Sequence, residues 1–198
     1  NVYQSSTNDF DISLSNSSGI ATEWKLVMPT YSQMNFKSID IENGYTIESV
    51  SCNSKPVYVA IGNSITMGVG LSNNDSKDAY NRYIADSLGY ELYNWGIGGS
   101  KVHDTVYTNL RNSSLKPDLI TVLWGFNDVH FSTDENHFTA STFPKYENLL
   151  TSILQNYPTA CVMAILPTFT NTPVSTTTRT IANLEAGQLN IINSLQLT

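Results

Sequence analysis

Three short motifs place a serine, glycines and an asparagine directly after apolar segments of the chain. The motifs are Gly62-Asn63-Ser64-Ile65-Thr66, Gly98-Gly99-Ser100 and Gly125-Phe126-Asn127-Asp128. The apolar segments before them, residues 57–61, 90–95 and 119–124, are typical of buried β-strands. Open α/β sheets bind their ligands beyond the carboxyl ends of parallel strands. We therefore expect the three motifs to lie together at one edge of such a sheet.

Ser64, Gly99 and Asn127 are residue types that an acyl-transfer site needs. A serine hydroxyl is a candidate nucleophile, although serine is also favoured as the N-cap of any helix. The Gly99 N–H has no Cβ beside it to obstruct a bound acyl oxygen, and the Asn127 amide is a neutral hydrogen-bond donor. Glycine and asparagine are also common in turns, so each residue alone has an ordinary structural interpretation. Asp128 is interpreted as a structural anchor of its motif.

In this order, the three motifs make residues 55–198 resemble the SGNH, or GDSL-like, hydrolases, in the branch that includes carbohydrate esterases. That family has a Gly-Asp-Ser-type nucleophile turn, an oxyanion glycine, a Gly-x-Asn-Asp turn and a late Asp-x-x-His. The resemblance implies a three-layer α/β/α fold with a parallel sheet in flavodoxin-like strand order. It also implies a serine esterase that needs no cofactor or metal, in which Ser64 forms the acyl-enzyme. Ser64, Gly99 and Asn127 would then form the oxyanion hole.

A serine nucleophile needs a general base, and the chain has three histidines to offer. His103 is predicted to lie on the surface. His130 is predicted to be a solvated loop residue, with a place in the substrate pocket as the alternative. The single Asp-x-x-His, Asp134 to His137, follows the third motif too closely for the family order and is interpreted as a coincidence.

The family's Asp-x-x-His follows a fifth strand near the C-terminus, so we expect that block to lie beyond Thr198. On this expectation, the 198 residues are a piece of a longer polypeptide. The alternative is an incomplete catalytic apparatus, as in a non-catalytic carbohydrate-binding protein built on a degenerate hydrolase fold. A domain without its fifth strand would expose the edge of its fourth, which favours the first expectation.

Hydrophobic periodicity divides the chain into two parts. Residues 1–54 alternate between apolar and polar positions, which predicts a small β-rich segment, interpreted as the tail of a β-sandwich module. Residues 55–198 alternate between strands and helices, which predicts the hydrolase-like domain. Its later elements are predicted as helices at 76–88, 102–111 and 143–154, a strand at 160–166, a threonine-rich loop at 168–178 and a helix over 181–195.

The charge balance disfavours several partners. The chain has 10 basic and 17 acidic residues, a net charge of −7 and no cluster of lysine or arginine. This argues against nucleic acid and anionic membrane surfaces as partners. No apolar run reaches the roughly 18–20 residues that span a bilayer, so an integral membrane protein is not expected. Cys161, inside an apolar run, is predicted to be a small core residue, while Cys52 precedes the first strand of the sheet.

Aromatic side chains at or beside the strand ends indicate the kind of substrate. Trp95, Phe126, His130 and Phe131 could stack on a sugar ring or line an acyl pocket, whereas Trp124 is interpreted as core. The lack of a basic cluster disfavours phospholipids and acyl-CoA. We therefore expect a small O-acyl ester, above all an acetyl group on a polysaccharide, and the abundance of Ser, Thr, Asn and Tyr favours a secreted, periplasmic or cell-surface location. A nucleotide-binding flavodoxin-like protein is disfavoured, because no Gly-x-Gly-x-x-Gly follows the first strand.

Overall fold

The computed structural model describes residues 38–47, 55–71, 78–103, 105–132, 134, 136–167 and 180–196. Most of the predicted β-rich segment at 1–54 lies outside these residues, so its architecture stays a prediction. In the described stretch at 38–47, the Tyr45 N–H donates to the Glu42 carbonyl at 3.2 Å and closes a turn. Residues 38–41, which the sequence pattern assigns to a strand, form none.

Within the described residues, four parallel strands form a sheet in the order β2-β1-β3-β4. They are β1 (Val57–Gly62), β2 (Glu91–Gly96), β3 (Leu119–Leu123) and β4 (Cys161–Ile165). The register places Gly62, the last residue of β1, opposite Gly96 of β2 and Leu123 of β3. Because these three strands end at the same level, the three motifs leave the sheet side by side. The predicted parallel sheet and its flavodoxin-like strand order are confirmed.

Helices follow each strand in the described part of the chain. They are α1 (Ser64–Met67), α2 (Tyr80–Leu88), α3 (Thr105–Asn112), α4 (Phe126–His130), α5 (Phe143–Asn156) and α6 (Ile181–Ser194). A π-helical turn, Phe138–Thr142, runs directly into α5. The predicted start of α3 was three residues too early, because Val102 belongs to the preceding loop. Residues 76 and 77, the predicted start of α2, lie outside the described residues.

The core lies on both faces of the sheet and is larger on one of them. On the larger face, alternate residues of β1 and β3 pack under α3, α5 and α6; they are Val59, Ile61, Ile120 and Val122. On the other face, Tyr58, Ala60 and Leu119 pack against Ala85 of α2. Coverage of both faces explains why β1 and β3 read as continuous apolar runs rather than as alternating ones. The result is the predicted three-layer α/β/α arrangement.

β4 differs from the fully buried strand that its sequence predicts. Val162 packs into the main core, whereas the flanking Cys161 and Met163 are exposed, Met163 to 46%. The prediction that Cys161 is a core residue is therefore wrong, and its thiol is free and exposed. An apolar run shows that a strand can be buried on both faces, but the neighbouring elements decide whether it is.

Candidate active site

Ser64 is the first residue of α1, directly after the turn that ends β1. The Asn63 side chain caps this helix, because its Oδ1 accepts the Ile65 N–H at 2.9 Å. The Ser64 N–H occupies a helix position at which no intrahelical carbonyl is available. The half-buried Ser64 therefore presents both a hydroxyl and a backbone donor at the end of β1.

Two glycines let α1 lie directly across the ends of β1 and β2. A Cβ at Gly62 would overlap the Thr66 side chain and the Leu123 carbonyl oxygen. A Cβ at Gly96 would overlap the Met67 backbone. Any larger residue at either position would push α1 away from the sheet, and Ser64 would move with it.

The second motif forms a tight turn after β2. The Ile97 N–H donates to the Gly62 carbonyl at 3.0 Å, which ties the start of the turn to the end of β1. The Ser100 hydroxyl and N–H both donate to the Ile97 carbonyl, at 2.9 and 3.3 Å. Gly99 has φ = 71° and no atom would lie within 4 Å of an added Cβ. Glycine is required there by the backbone conformation and not by lack of space.

The third motif begins helix α4, so that Asn127 is a helical residue, and the alternative of a simple turn residue does not hold. Gly125 precedes the helix with φ = 112°. The Asn127 side chain is 2% exposed, and its Nδ2 donates to the Ser100 carbonyl at 2.8 Å. The indole Nε1 of Trp124 donates to the same carbonyl at 3.3 Å. The second and third motifs are thus joined by direct hydrogen bonds, while the second hydrogen of Asn127 Nδ2 bonds to none of the described residues.

Asp128 is buried and joins three segments. Its Oδ2 accepts the Val102 N–H at 2.9 Å, and its Oδ1 accepts the Thr142 hydroxyl at 2.8 Å. The Nε2 of His137 lies 3.1 Å from the same Oδ1. This placement agrees with the structural role expected for Asp128, because the carboxylate connects the second motif's loop, α4 and the π-helical turn.

The three histidines contact residues other than Ser64. His137 pairs with Asp128 and not with Asp134, whose Oδ1 instead accepts the Asn136 N–H at 2.9 Å. The Asp-x-x-His at 134–137 is therefore not a working pair, as expected. No hydrogen bond in the described part of the chain connects a histidine to Ser64.

Two histidine predictions were wrong. His103 is half-buried and packs edge-on against Trp124, with ring centroids 4.9 Å apart, so it is not a free surface residue. His130 ends α4 and stacks on Phe126 at 4.4 Å, so it is not a solvated loop residue. Its buried Nε2 has no hydrogen-bond partner among the described residues. His103 packs on Trp124, which lies just before helix α4, and His130 is the last residue of that helix, whereas the sequence pattern assigned no helix there.

A family model for the GDSL-like lipase/acylhydrolases matches residues 60–193, which is more than half of the chain. The chain belongs to this family. It is therefore an enzyme of the SGNH esterase type, and the resemblance to the SGNH, or GDSL-like, hydrolases as a family is confirmed.

Solved structures of this family share the fold of the GDSL-like domain. A lipolytic G-D-S-L family protein from Desulfitobacterium hafniense DCB-2 has a TM-score of 0.55 at 16% identity, over 72% of this chain and 75% of that chain. AlinE4, an SGNH-hydrolase family esterase, has a TM-score of 0.58 at 15% identity, over 75% of this chain and 76% of that chain. A member of the lipolytic protein G-D-S-L family from Veillonella parvula DSM 2008 has a TM-score of 0.55 at 14% identity, over 71% of this chain and 74% of that chain. No curated protein sequence matches the chain.

The aromatic residues predicted for the pocket of this GDSL-like hydrolase have different surroundings. Trp95, next to the end of β2, is half-buried and packs against the main core. Phe126 is half-buried at the start of α4, and Phe131, just beyond that helix, is 65% exposed. Trp124 is fully buried, in agreement with its interpretation as core. Phe131 therefore offers the most surface to a substrate, Phe126 and Trp95 offer part of theirs, and Trp124 offers none.

Sequence analysis missed the polar side chains that support the three motifs. Gln188 lies on the buried stripe of α6, and its Nε2 donates to the Trp124 carbonyl at 2.9 Å. Asn81 lies on the buried face of α2, and its Nδ2 donates to the Thr66 carbonyl at 2.8 Å. A polar residue at a core position of a helix was the available signal, because such a side chain needs a hydrogen-bond partner inside the protein.

The described ranges contain neither a metal-binding cluster nor a membrane-spanning helix. No group of three or more histidine, cysteine, aspartate or glutamate side chains is arranged to hold a metal ion there. No helix in the same ranges has both the length and the apolar character to cross a membrane.

Proposed function

We propose that this GDSL-like hydrolase cleaves O-acyl esters through an acyl-enzyme on Ser64. The observation that carries this proposal is the hydrogen bond that Asn127 donates to the Ser100 carbonyl. These two residues follow β3 and β2, and the register places the ends of both strands level with the end of β1. It joins the two candidate oxyanion donors that follow β2 and β3 beside the helix that begins with Ser64.

In the proposed reaction, Ser64 Oγ attacks the acyl carbonyl carbon while a general base takes the hydroxyl proton. The carbonyl oxygen becomes negative and accepts hydrogen bonds from the Ser64 N–H, the Gly99 N–H and the second Nδ2 hydrogen of Asn127. Collapse of the intermediate breaks the bond to the alcohol, which leaves with the proton. Water then cleaves the acyl-enzyme by the same steps in reverse order, releasing the carboxylic acid and free Ser64.

We further propose an acetyl ester of a carbohydrate as the substrate. Phe126 and the exposed Phe131 supply flat apolar faces of the kind that stack on sugar rings. The chain carries a net charge of −7, so an uncharged ester suits its surface better than a phosphate-bearing one. A non-catalytic carbohydrate-binding protein is the alternative function, and the absence of a histidine bonded to Ser64 in the described residues is the observation that favours it.

The general base is proposed to be none of the chain's three histidines. His137 is bonded to Asp128, His130 stacks on Phe126, and His103 packs on Trp124. The Asp-x-x-His implied by the family resemblance is the expected source of the base. Substitution of His130 or His137 by alanine should therefore leave Ser64-dependent hydrolysis in place, and loss of all activity in either variant would identify that histidine as the base.

The decisive test compares Ser64→Ala with Ser194→Ala in the polypeptide encoded by the whole reading frame. Ser194 is a matched control, because its hydroxyl donates only to the Ile191 carbonyl at the end of α6. Aryl acetate, aryl butyrate, aryl octanoate and acetylated xylan serve as substrates. We expect Ser64→Ala to lose nearly all hydrolysis, Ser194→Ala to lose none, and acetate to be released fastest. Unchanged activity in Ser64→Ala would refute the nucleophile, and binding of the xylan without hydrolysis by the wild-type protein would favour the alternative function.

A further inference from the structure

The carbonyl oxygen of Thr66 accepts hydrogen bonds from two side-chain amides. Asn81 of α2 donates its Nδ2 at 2.8 Å, and Asn94 of β2 donates its Nδ2 at 2.9 Å. Thr66 lies in the last turn of the four-residue helix α1, where helix carbonyls lack an N–H partner further along the chain. Two residues from other elements thus replace the hydrogen bond that a longer helix would have made.

The Asn94 amide is itself held in one orientation. Its Oδ1 accepts the Gly96 N–H at 3.0 Å, while its Nδ2 donates to Thr66. The side chain therefore connects the end of β2 to the end of α1. Only an amide can make both contacts, because a carboxylate in the same place could accept from Gly96 but could not donate to Thr66.

The side chain of Thr66 is fixed as well. Its Oγ1 lies 3.1 Å from the Tyr80 hydroxyl, and Thr66 is completely buried. Burial raises the pKa of Tyr80, although hydrogen bonds with the Thr66 and Thr121 side chains oppose that shift. The phenol therefore remains protonated at neutral pH and available for this contact. Thr66 is held through its carbonyl, its hydroxyl and its packing against Gly62.

We propose that Asn81 and Asn94 are positioning residues for Ser64, which fix the Thr66 carbonyl and thereby the orientation of α1. Ser64 lies two residues before Thr66 in the same helical turn. A single turn of helix is not stable alone, so its orientation depends on contacts of this kind. A misplacement of about 1 Å of a reacting group is enough to lower a rate about 10²-fold. Removal of the amide contacts should therefore lower the reactivity of Ser64 and leave substrate binding nearly unchanged.

This inference rests on the proposed function of Ser64, and Asn94 offers the sharper test because it is an exposed residue whose replacement leaves the core intact. Asn94→Asp keeps the size of the side chain and the acceptor for Gly96 but places a carboxylate oxygen against the Thr66 carbonyl. Asn94→Ala removes both contacts. Asn156→Ala is the matched control, because the exposed Asn156 makes the same kind of bond, to the Ser152 carbonyl at 2.9 Å, in α5.

The experiment measures kcat and KM for an aryl acetate, the rate at which a fluorophosphonate labels Ser64, and Tm, in the polypeptide encoded by the whole reading frame. We expect Asn94→Asp to lower kcat and the labelling rate about tenfold or more, with KM nearly unchanged. Asn94→Ala should show a smaller fall of the same kind, and Asn156→Ala none. Asn81→Asp should resemble Asn94→Asp if it folds, and the Asn94 variants decide the question if it does not.

Two results would overturn the proposal. One is an Asn94→Asp protein with normal kcat and labelling rate, and the other is a loss of activity that appears only as a raised KM. Failure of the proposed function is distinguishable, because either Ser64→Ala would be as active as the wild type or the wild type itself would be inactive. A Ser64→Ala protein without activity beside a fully active Asn94→Asp would refute only the positioning role.

Discussion

The two sides of the active site are fixed by different chemistry. On the nucleophile side, neutral amides of Asn81 and Asn94 hold the Thr66 carbonyl. On the other side, called the asparagine side because it carries Asn127, the buried carboxylate of Asp128 accepts hydrogen bonds from backbone, hydroxyl and imidazole groups. A hydrogen bond to a charged group contributes about 1.5–3 kcal/mol to stability, against about 0.5–1.5 kcal/mol for a neutral one. Removal of one anchor should therefore lower the free energy of unfolding only slightly on the nucleophile side and much more on the asparagine side.

Stability and activity are also connected differently on the two sides. Asn127 and Asp128 are neighbours in α4, and both bond to the loop of the second motif, at Ser100 and at Val102. The candidate oxyanion donor and the main structural anchor thus share one helix and one loop. On the nucleophile side, the anchoring amides come from α2 and β2, which carry none of the candidate catalytic groups.

Apart from loss of the nucleophile Ser64 itself, the largest effect on the reaction is expected from Asn127→Ala. Loss of the amide should lower kcat about 10²- to 10³-fold with little change in KM, because an oxyanion exists only in the transition state and the intermediate. Asn127→Asp should be equally inactive, since a carboxylate cannot donate and would repel the oxyanion. Steady-state kinetics with an aryl acetate measure both variants, and Asn109→Ala on the exposed side of α3 serves as the control. A raised KM with normal kcat would place Asn127 in substrate binding instead.

The largest effect on stability is expected from Asp128→Ala. The substitution leaves the Val102 N–H and the Thr142 hydroxyl without an acceptor inside the protein, and the free energy of unfolding should fall by about 3 kcal/mol or more. Urea denaturation followed by fluorescence measures this change. Asp134→Ala removes an exposed carboxylate nearby whose Oδ1 accepts the Asn136 N–H, and it should change the free energy of unfolding by less than about 0.5 kcal/mol. If the two variants lost the same free energy of unfolding, Asp128 would not be the main structural anchor.

A single donor of the carboxylate network should have an intermediate effect. Thr142→Val removes the hydroxyl that donates to Asp128 but keeps the shape of this fully buried side chain. Because Asp128 retains its contacts to Val102 and His137, we expect a loss of about 1.5 kcal/mol in the free energy of unfolding. Thr139→Val, an exposed threonine in the same π-helical turn, is the matched control. An unchanged free energy of unfolding in Thr142→Val would show that the hydroxyl of Thr142 does not help to hold the π-helical turn.

The comparison also separates what sequence can predict from what it cannot. The strand order was implied by the family resemblance. The meeting of the three motifs could be predicted, because apolar runs followed by glycines specify where parallel strands end. The supporting contacts could not, since Gln188 reaches a carbonyl 64 residues away and nothing local states its partner. The exposure of Cys161 likewise depends on which neighbouring elements cover β4. Local patterns identified the groups proposed for chemistry, and tertiary contacts supplied the groups that hold them.

The smallest effect is expected on the stability of the nucleophile side, in Asn94→Ala. Asn94 is exposed, so water can replace its neutral hydrogen bonds to Thr66 and Gly96, and the free energy of unfolding should fall by about 1 kcal/mol or less. Urea denaturation of Asn94→Ala, Thr142→Val and Asp128→Ala under the same conditions gives three free energies of unfolding that can be compared directly. The expected order is Asp128→Ala, then Thr142→Val, then Asn94→Ala. If Asn94→Ala cost as much stability as Asp128→Ala, the nucleophile side would be as integral to the fold as the asparagine side. The contrast between amide and carboxylate anchoring would then be wrong.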